Sequence, residues 1–162
     1  MENLILKNTE FRKLTKDDIE LFVTLRLTYI METFDNFNEL EIDSLKFNLK
    51  KYFFEHIEQN DFVGIIGVYN KKIISVAYLI INDFPPNPNI MTGKTGTLLN
   101  VYTLFEYRKK GIAKKLLEKI ISEAKRIGLN SLELKATNDG YNLYKSIGFI
   151  DDDTNKSMII RF

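Results

Sequence analysis

The chain has 162 residues, 44% of them hydrophobic, enough for one well-filled α/β core and short of what two domains need, so residues 1–162 are expected to form a single domain. Lys and Arg number 23 against 22 Asp and Glu, which removes the basic excess of a protein whose main partner is nucleic acid. With no cysteine and a single histidine, His56, the chain excludes disulfide frameworks, thiolate metal sites, cysteine nucleophiles and multi-histidine metal clusters.

Residues 1–7 are short and mixed, without the apolar core and small-residue cleavage site of a signal peptide. No apolar run approaches the roughly 20 residues of a membrane span, so a cytoplasmic protein without membrane contact is expected. Residues 11–14 read as a first strand, after which Thr15 and Asp18 form a near capping box. A helix is predicted from about Lys16 to Glu32 or Thr33, with Ile19, Phe22, Val23, Leu27 and Ile30 at helical spacing. Residues 34–40 form a polar-aromatic loop, and a second helix over 42–59 places Leu45, Leu49, Tyr52, Phe53 and Ile57 on one side.

Residues 62–69 and 73–81 are β-rich and joined by Asn70-Lys71-Lys72, a hairpin by pattern. Pro85, Pro86 and Pro88 end the second run, which makes 83–95 the longest irregular segment and the expected mobile lip of a site. Strand resumes over 97–103. Residues 111–127 carry the clearest helical stripe, Ile112, Leu116, Leu117, Ile120, Ile121, Ala124 and Ile127, closed by Gly128. A strand over 132–136, a short helix over 141–146 stopped by Gly148, and a closing strand over 157–162 complete the order βααβββαβαβ.

The richest chemistry lies where the 97–103 strand runs through a turn into the helix after Gly111. A helix start offers unpartnered backbone N–H groups and the positive end of the helix dipole, so a pyrophosphate can sit there. Gly111 permits close backbone approach, Ala113 keeps the first turn uncrowded, and Arg108, Lys109 and Lys110 add positive charge.

The R-x-x-G-x-A pattern from Arg108 to Ala113, followed by 138–149 with Tyr144 and ending in Gly148-Phe149, resembles the acyl-CoA-binding half of the GNAT N-acetyltransferase superfamily. The match is tight over about 97–149. It implies a GNAT-like fold, a mixed, twisted central sheet flanked by helices, whose fourth and fifth strands splay to admit pantetheine. It also implies an acetyl-CoA cosubstrate: backbone amides from Arg108 through Lys109, Lys110, Gly111 and Ile112 to Ala113 hold the pyrophosphate, with Lys114 just beyond. Backbone groups of Val101, Tyr102 and Thr103 meet the pantetheine amides and the acetyl carbonyl, Asn138 bonds the pantetheine arm, and Tyr144 is the general acid that protonates the leaving sulfur. Tyr141 departs from the alanine common at its position, and a phenol there would narrow the CoA channel.

Two imitations fall away. Gly93-Lys94-Thr95 resembles the end of a P-loop, but Pro88 replaces the glycine required five positions earlier, and a strand follows where a helix should. Gly111 lacks the companions of a dinucleotide G-x-G-x-x-G. His56 reads as a partly buried, hydrogen-bonded histidine of the second helix. Asp151, Asp152 and Asp153 are consecutive and lack calcium-loop spacing, so no metal is assigned.

Acetyl transfer to a lysine-like amine must overcome about 4.6 kcal/mol for deprotonation at pH 7, which calls for a base or for desolvation. Glu32, Glu39 and Glu41, or Asn100 and Tyr102 through water, are the candidates, and spacing does not choose among them. Tyr29, Phe34 and Phe37 with Glu32, Asp35 and Glu39 suit a cationic acceptor with an apolar body. The function expected is transfer of an acetyl group to the primary amine of a small molecule or peptide. The expected partner is that amine acceptor, with neither nucleic acid nor membrane, and a homodimer is compatible with the chain. A non-catalytic CoA-binding module, and less so a toxin acetylating aminoacyl-tRNA, remain as alternatives.

Overall fold

A computed structural model describes residues 4–34, 36–153 and 158–161. Its elements are α1 (Leu4–Lys7), β1 (Glu10–Lys13), α2 (Ile19–Thr33), α3 (Glu39–His56), β2 (Phe62–Tyr69), β3 (Lys72–Asp83), β4 (Lys94–Thr103), α4 (Ile112–Ile127), β5 (Leu132–Glu133) and α5 (Asn138–Ser146). One five-stranded sheet runs in the order β1-β2-β3-β4-β5, antiparallel throughout except for the parallel β4–β5 pair.

The strands bury both faces, and their alternation sorts two cores. Phe62, Ile66, Val76 and Tyr78 point to the side covered by α2 and α3, where they meet Phe22, Val23, Leu27 and Phe53. Phe22 and Phe53 meet edge-on with centroids 4.6 Å apart, a geometry that adds about 0.5–1.5 kcal/mol beyond area burial. Val63, Ile65, Ala77, Leu79 and Leu98 face the other side, where α4 lays down Leu116, Leu117, Ile120 and Ala124. The α4 stripe is the predicted one except at Ile121, which is half-buried outside this core. Gly128, with φ 85°, ends this helix as expected.

α2 is entered through a short 3₁₀ turn, Lys16–Asp18, held by one carboxylate. Asp18 accepts from the Thr15 amide and hydroxyl, both at 2.9 Å, and from Arg12 through two guanidinium nitrogens at 2.7 and 2.8 Å. That fourfold donation holds its carboxyl down at about 2, with the Arg12 bond the largest cause. The β2–β3 hairpin turns through Asn70 and Lys71, both at positive φ (48° and 63°), the backbone of a tight primed turn.

Several boundaries differ from the sequence expectation. The second helix begins earlier, at Glu39, because Asn38 and Glu41 form a reciprocal cap. The helix predicted over 141–146 likewise starts at Asn138, capped by Thr137. α1, a single turn near the N-terminus, was not anticipated. The strand expected over 132–136 shortens to Leu132–Glu133, because β5 leaves β4 after two pairs and the remaining residues have no ladder to join. The closing strand expected over 157–162 is not formed by Met158–Arg161, while Ser157 and Phe162 lie outside the described residues. Among the described residues no helix is long and apolar enough to cross a membrane.

Candidate active site

β4 and β5 pair only at Gly96 with Leu132 and Thr97 with Glu133. Beyond that point, among the described residues, β4 has no strand neighbour on this side, and Val101, Tyr102 and Thr103 border the opening. On the opposite side Val76 faces Tyr102 and Tyr78 faces Leu99, so Asn100 and Val101 together oppose Ala77. This is a β-bulge, with Asn100 at φ 52°, a left-handed backbone that asparagine tolerates better than most residues. A bulge re-aims backbone groups at the point where the strands part.

From β4 the chain passes through a 3₁₀ turn, Phe105–Tyr107, to residues 108–111 and into α4. Lys109 (φ 58°) and Gly111 (φ 80°) are both left-handed and flank Lys110, an alternation that turns successive amides toward one side. Lys115 donates its amide to the Gly111 carbonyl at 3.1 Å, so the amides of Ile112, Ala113 and Lys114 belong to the first turn, which has no helical acceptor. Ile112 is buried and anchors that turn, while Lys109 and Lys114 are exposed beside it. The other two cations are committed elsewhere. Lys110 Nζ donates to the Glu106 carbonyl at 2.8 Å, and Arg108 Nε donates to the Thr103 carbonyl at 2.8 Å.

Arg108 also reaches Glu32 on α2, with Nη2 at 3.1 Å from Oε2. The Tyr102 phenol donates to the other oxygen of Glu32 at 2.6 Å. Burial first, and then the Glu32 carboxylate, push this phenol up to about 12, so it is a lasting donor. Six residues earlier on the same helix, Arg26 Nη1 donates to Asn100 Oδ1 at 2.6 Å. Between them Tyr29 meets Tyr102 edge-on at 5.7 Å. α2 therefore touches β4 at its bulge through the cation Arg26 and just beyond it, at Tyr102, through the anion Glu32.

Tyr144 lies across the opening on α5, half-buried against the α4-side core together with Val101, Leu143 and Phe149. Burial raises its phenol above the ordinary value, so it keeps its proton at neutral pH. A Cβ on Gly140 would come within 2.7 Å of the Tyr144 ring, so that glycine is what lets the ring lie along the helix. Asn138 is exposed in the first turn of α5, after the Thr137 cap. The Tyr141 phenol donates to Asp151, at 3.0 and 2.9 Å from its two oxygens.

The other candidates are dispersed. Glu41 is held in the α3 cap and Glu39 is exposed beside it. Phe34 and Phe37 are exposed, and Asp35 lies outside the described residues. His56 stacks on Tyr52 at 4.2 Å and its Nδ1 pairs with Asp61 at 2.8 Å. A cavity of about 440 Å³ sits at the other end of the sheet, lined by Phe62, Lys94 and Arg126 among others, and holds none of the site residues.

Sequence reasoning missed Arg26. Its signal was present, since the position lies four residues after Phe22 and three after Val23, both buried on α2, and a charge on a buried stripe needs a partner.

A profile of the Acetyltransferase (GNAT) family matches residues 27–149. Among solved structures, the chain is similar to a predicted acetyltransferase from Clostridium acetobutylicum solved with acetyl-CoA, at 29% identity over 93% of this chain and 96% of that one, with a TM-score of 0.82. It shares its fold with a GCN5-related N-acetyltransferase from Ralstonia eutropha JMP134, at 22% identity over 93% and 98% of the two chains and a TM-score of 0.77. It also shares it with a ribosomal-protein-alanine N-acetyltransferase from Brucella melitensis biovar Abortus 2308, at 21% identity over 95% and 99% and a TM-score of 0.72. No curated protein matches the chain by sequence.

Proposed function

The chain belongs to the GNAT acetyltransferase family and is an acyltransferase, and from that premise we propose that it moves the acetyl group of acetyl-CoA to the primary amine of a small molecule or peptide. The observation that carries this reading is the parting of β4 and β5 after Thr97 and Glu133, with the left-handed Gly111 turn at one end of the gap. The cradle fits the pyrophosphate by its chemistry: first-turn amides of α4, the exposed Lys109 and Lys114, and no side chain at Gly111.

Bound acetyl-CoA supplies the reaction with an acyl thioester. A backbone amide at the bulge, of Val101 or Tyr102, would donate toward the acetyl oxygen and stabilise negative charge there. Glu32 takes a proton from the incoming ammonium, directly or through one water, and its position is set by Tyr102 and Arg108. Tyr144 would give its phenolic proton to the sulfur as the new C–N bond replaces the C–S bond, the second proton shed by the attacking nitrogen would restore the phenol through water, and burial keeps the phenol protonated beforehand. Asn138, exposed in the first turn of α5, would bond the amide portion of the arm.

The test incubates the protein with acetyl-CoA and a broad panel of amines and reads free thiol, with CoA affinity measured calorimetrically. Amine-dependent thiol release supports the reading. Tight CoA binding with no amine ever acetylated would replace it with a non-catalytic CoA-binding module.

A further inference from the structure

Two buried donors beneath α2 lack an acceptor. Asn100 is 7% exposed and spends its Oδ1 on Arg26, which leaves its Nδ2 unpartnered. Arg26 Nε is buried and unpartnered too. Natural interiors satisfy such groups, so an acceptor belongs here. Arg26 is also a half-buried cation with no carboxylate against it among the described residues. Its neighbours are the faces of Tyr29 and Tyr78, 5.3 and 5.9 Å from the guanidinium carbon, and the neutral Asn100. Glu32, on the same helix, is occupied by Tyr102 and Arg108.

The site is placed to act on the acceptor. Asn100 is a bulge residue of β4, next to the backbone that borders the gap, and Arg26 reaches it from the helix that also brings Glu32. We infer that the acceptor is an amine that also carries a carboxylate, and that Arg26 with Asn100 Nδ2 receives this carboxylate while the amine is directed to Glu32. Guanidinium binds carboxylate with charge-assisted, directional hydrogen bonds, and ring faces around it exclude water that would weaken them. Residues 26 and 32 are about 9 Å apart along the helix axis, so amine and carboxylate stand several bonds apart, as in a side-chain amine or a short peptide. The uncompensated charge of Arg26 also repels polyamines, which carry no anion to meet it.

This inference rests on the acetyl-transfer reading, and one pair of measurements separates them. The CoA-saturated protein is titrated calorimetrically with the standard amino acids, with lysyl and ornithyl dipeptides, with the carboxamide of each, and with aminoalkyl phosphates. At least one free acid should bind about tenfold or more tightly than its carboxamide, because a site built for an anion rejects its neutral analogue. In Arg26→Gln that difference should shrink to within about twofold. Asn100→Asp sets an internal carboxylate against Arg26 and should abolish the preference as well, which guards against a folding defect in the first variant. Equal affinity for acid and carboxamide, no binding by any free acid, or a preference for the phosphates would overturn the assignment. Free thiol is then read with acetyl-CoA in place of CoA. A carboxylate preference without thiol release overturns acetyl transfer and leaves the docking site standing, whereas thiol release that is indifferent to the carboxylate overturns the docking site alone.

Discussion

The Tyr102 phenol and the Glu32 carboxylate, 70 positions apart in the chain, share a 2.6 Å hydrogen bond that ties β4 to α2 beside the gap between β4 and β5. With its phenol at about 12, Tyr102 stays a donor through any working pH and orients Glu32, a role for which it need never ionise.

Glu32→Gln should lower the maximal rate by about 10²–10⁴, the usual contribution of a positioned base, with little change in the apparent constant for acetyl-CoA. Tyr102→Phe frees the carboxylate but leaves it ionisable. Its loss should be about tenfold or less, and raising the pH should recover more of the rate in Glu32→Gln than in Tyr102→Phe, as read from pH–rate profiles.

Tyr144→Phe should cut the maximal rate by about 10²–10⁴ while acetyl-CoA affinity holds, measured by single turnover where chemistry limits. Gly140→Ala offers a second approach to the same phenol. Its added carbon would meet the Tyr144 ring at 2.7 Å, so the rate should fall although the phenol is retained. A rate in both variants equal to the parent's would reduce Tyr144 to a packing aromatic.

Gly111 holds φ 80°, where an L side chain costs roughly 1–2 kcal/mol. Gly111→Leu adds to that strain a Cβ 3.2 Å from the Leu6 side chain and should abolish CoA binding in calorimetry, with circular dichroism confirming an intact fold. Lys110→Ala should be nearly silent because Lys110 is spent on the Glu106 carbonyl, whereas Lys109→Ala should weaken CoA binding in a salt-dependent way.

Asp18 is held at about 2, below the ordinary carboxylate value, by Arg12 and Thr15. Its folded form binds protons less readily than the unfolded chain, so its stabilisation is fully present above about pH 4 and is lost as the pH falls through 2. With Arg12 partly exposed, the contribution is about 1–2 kcal/mol. In urea titrations Asp18→Asn should be less stable than the parent at pH 6, and the two should converge below pH 2.

The sequence was most legible where local rules act. The α4 stripe, its terminal glycine and the β2–β3 hairpin follow from periodicity and turn chemistry, and the α2 and α4 faces named beforehand are the ones that pack. Legibility ended where contacts are long-range. Nothing local to residues 132–136 tells that β5 gives up its ladder after Glu133, because the missing neighbour belongs to another part of the chain. Equally, Glu32 was one of several carboxylates until α2 set it beside Tyr102. The basic run at 108–110 read as undivided positive charge, whereas Arg108 and Lys110 serve backbone carbonyls and only Lys109 stays exposed without such a partner.

The two-pair ladder between β4 and β5 makes the molecule a poorly stitched garment along one seam. Apart from that short ladder and the Asn130 and Ser131 backbone bonds beside it, β5, α5 and the residues after it join the rest through side chains, Leu132, Leu143, Tyr144, Ile147 and Phe149 on the α4-side core. Amides of α5 should therefore exchange with solvent deuterium through openings much smaller than global unfolding, while those of β2 and β3 wait for the whole protein to melt. A cosubstrate bridging the seam would tie both margins together, so its binding should slow exchange in α5 far more than in the central strands, and the midpoint of thermal unfolding should climb with its concentration.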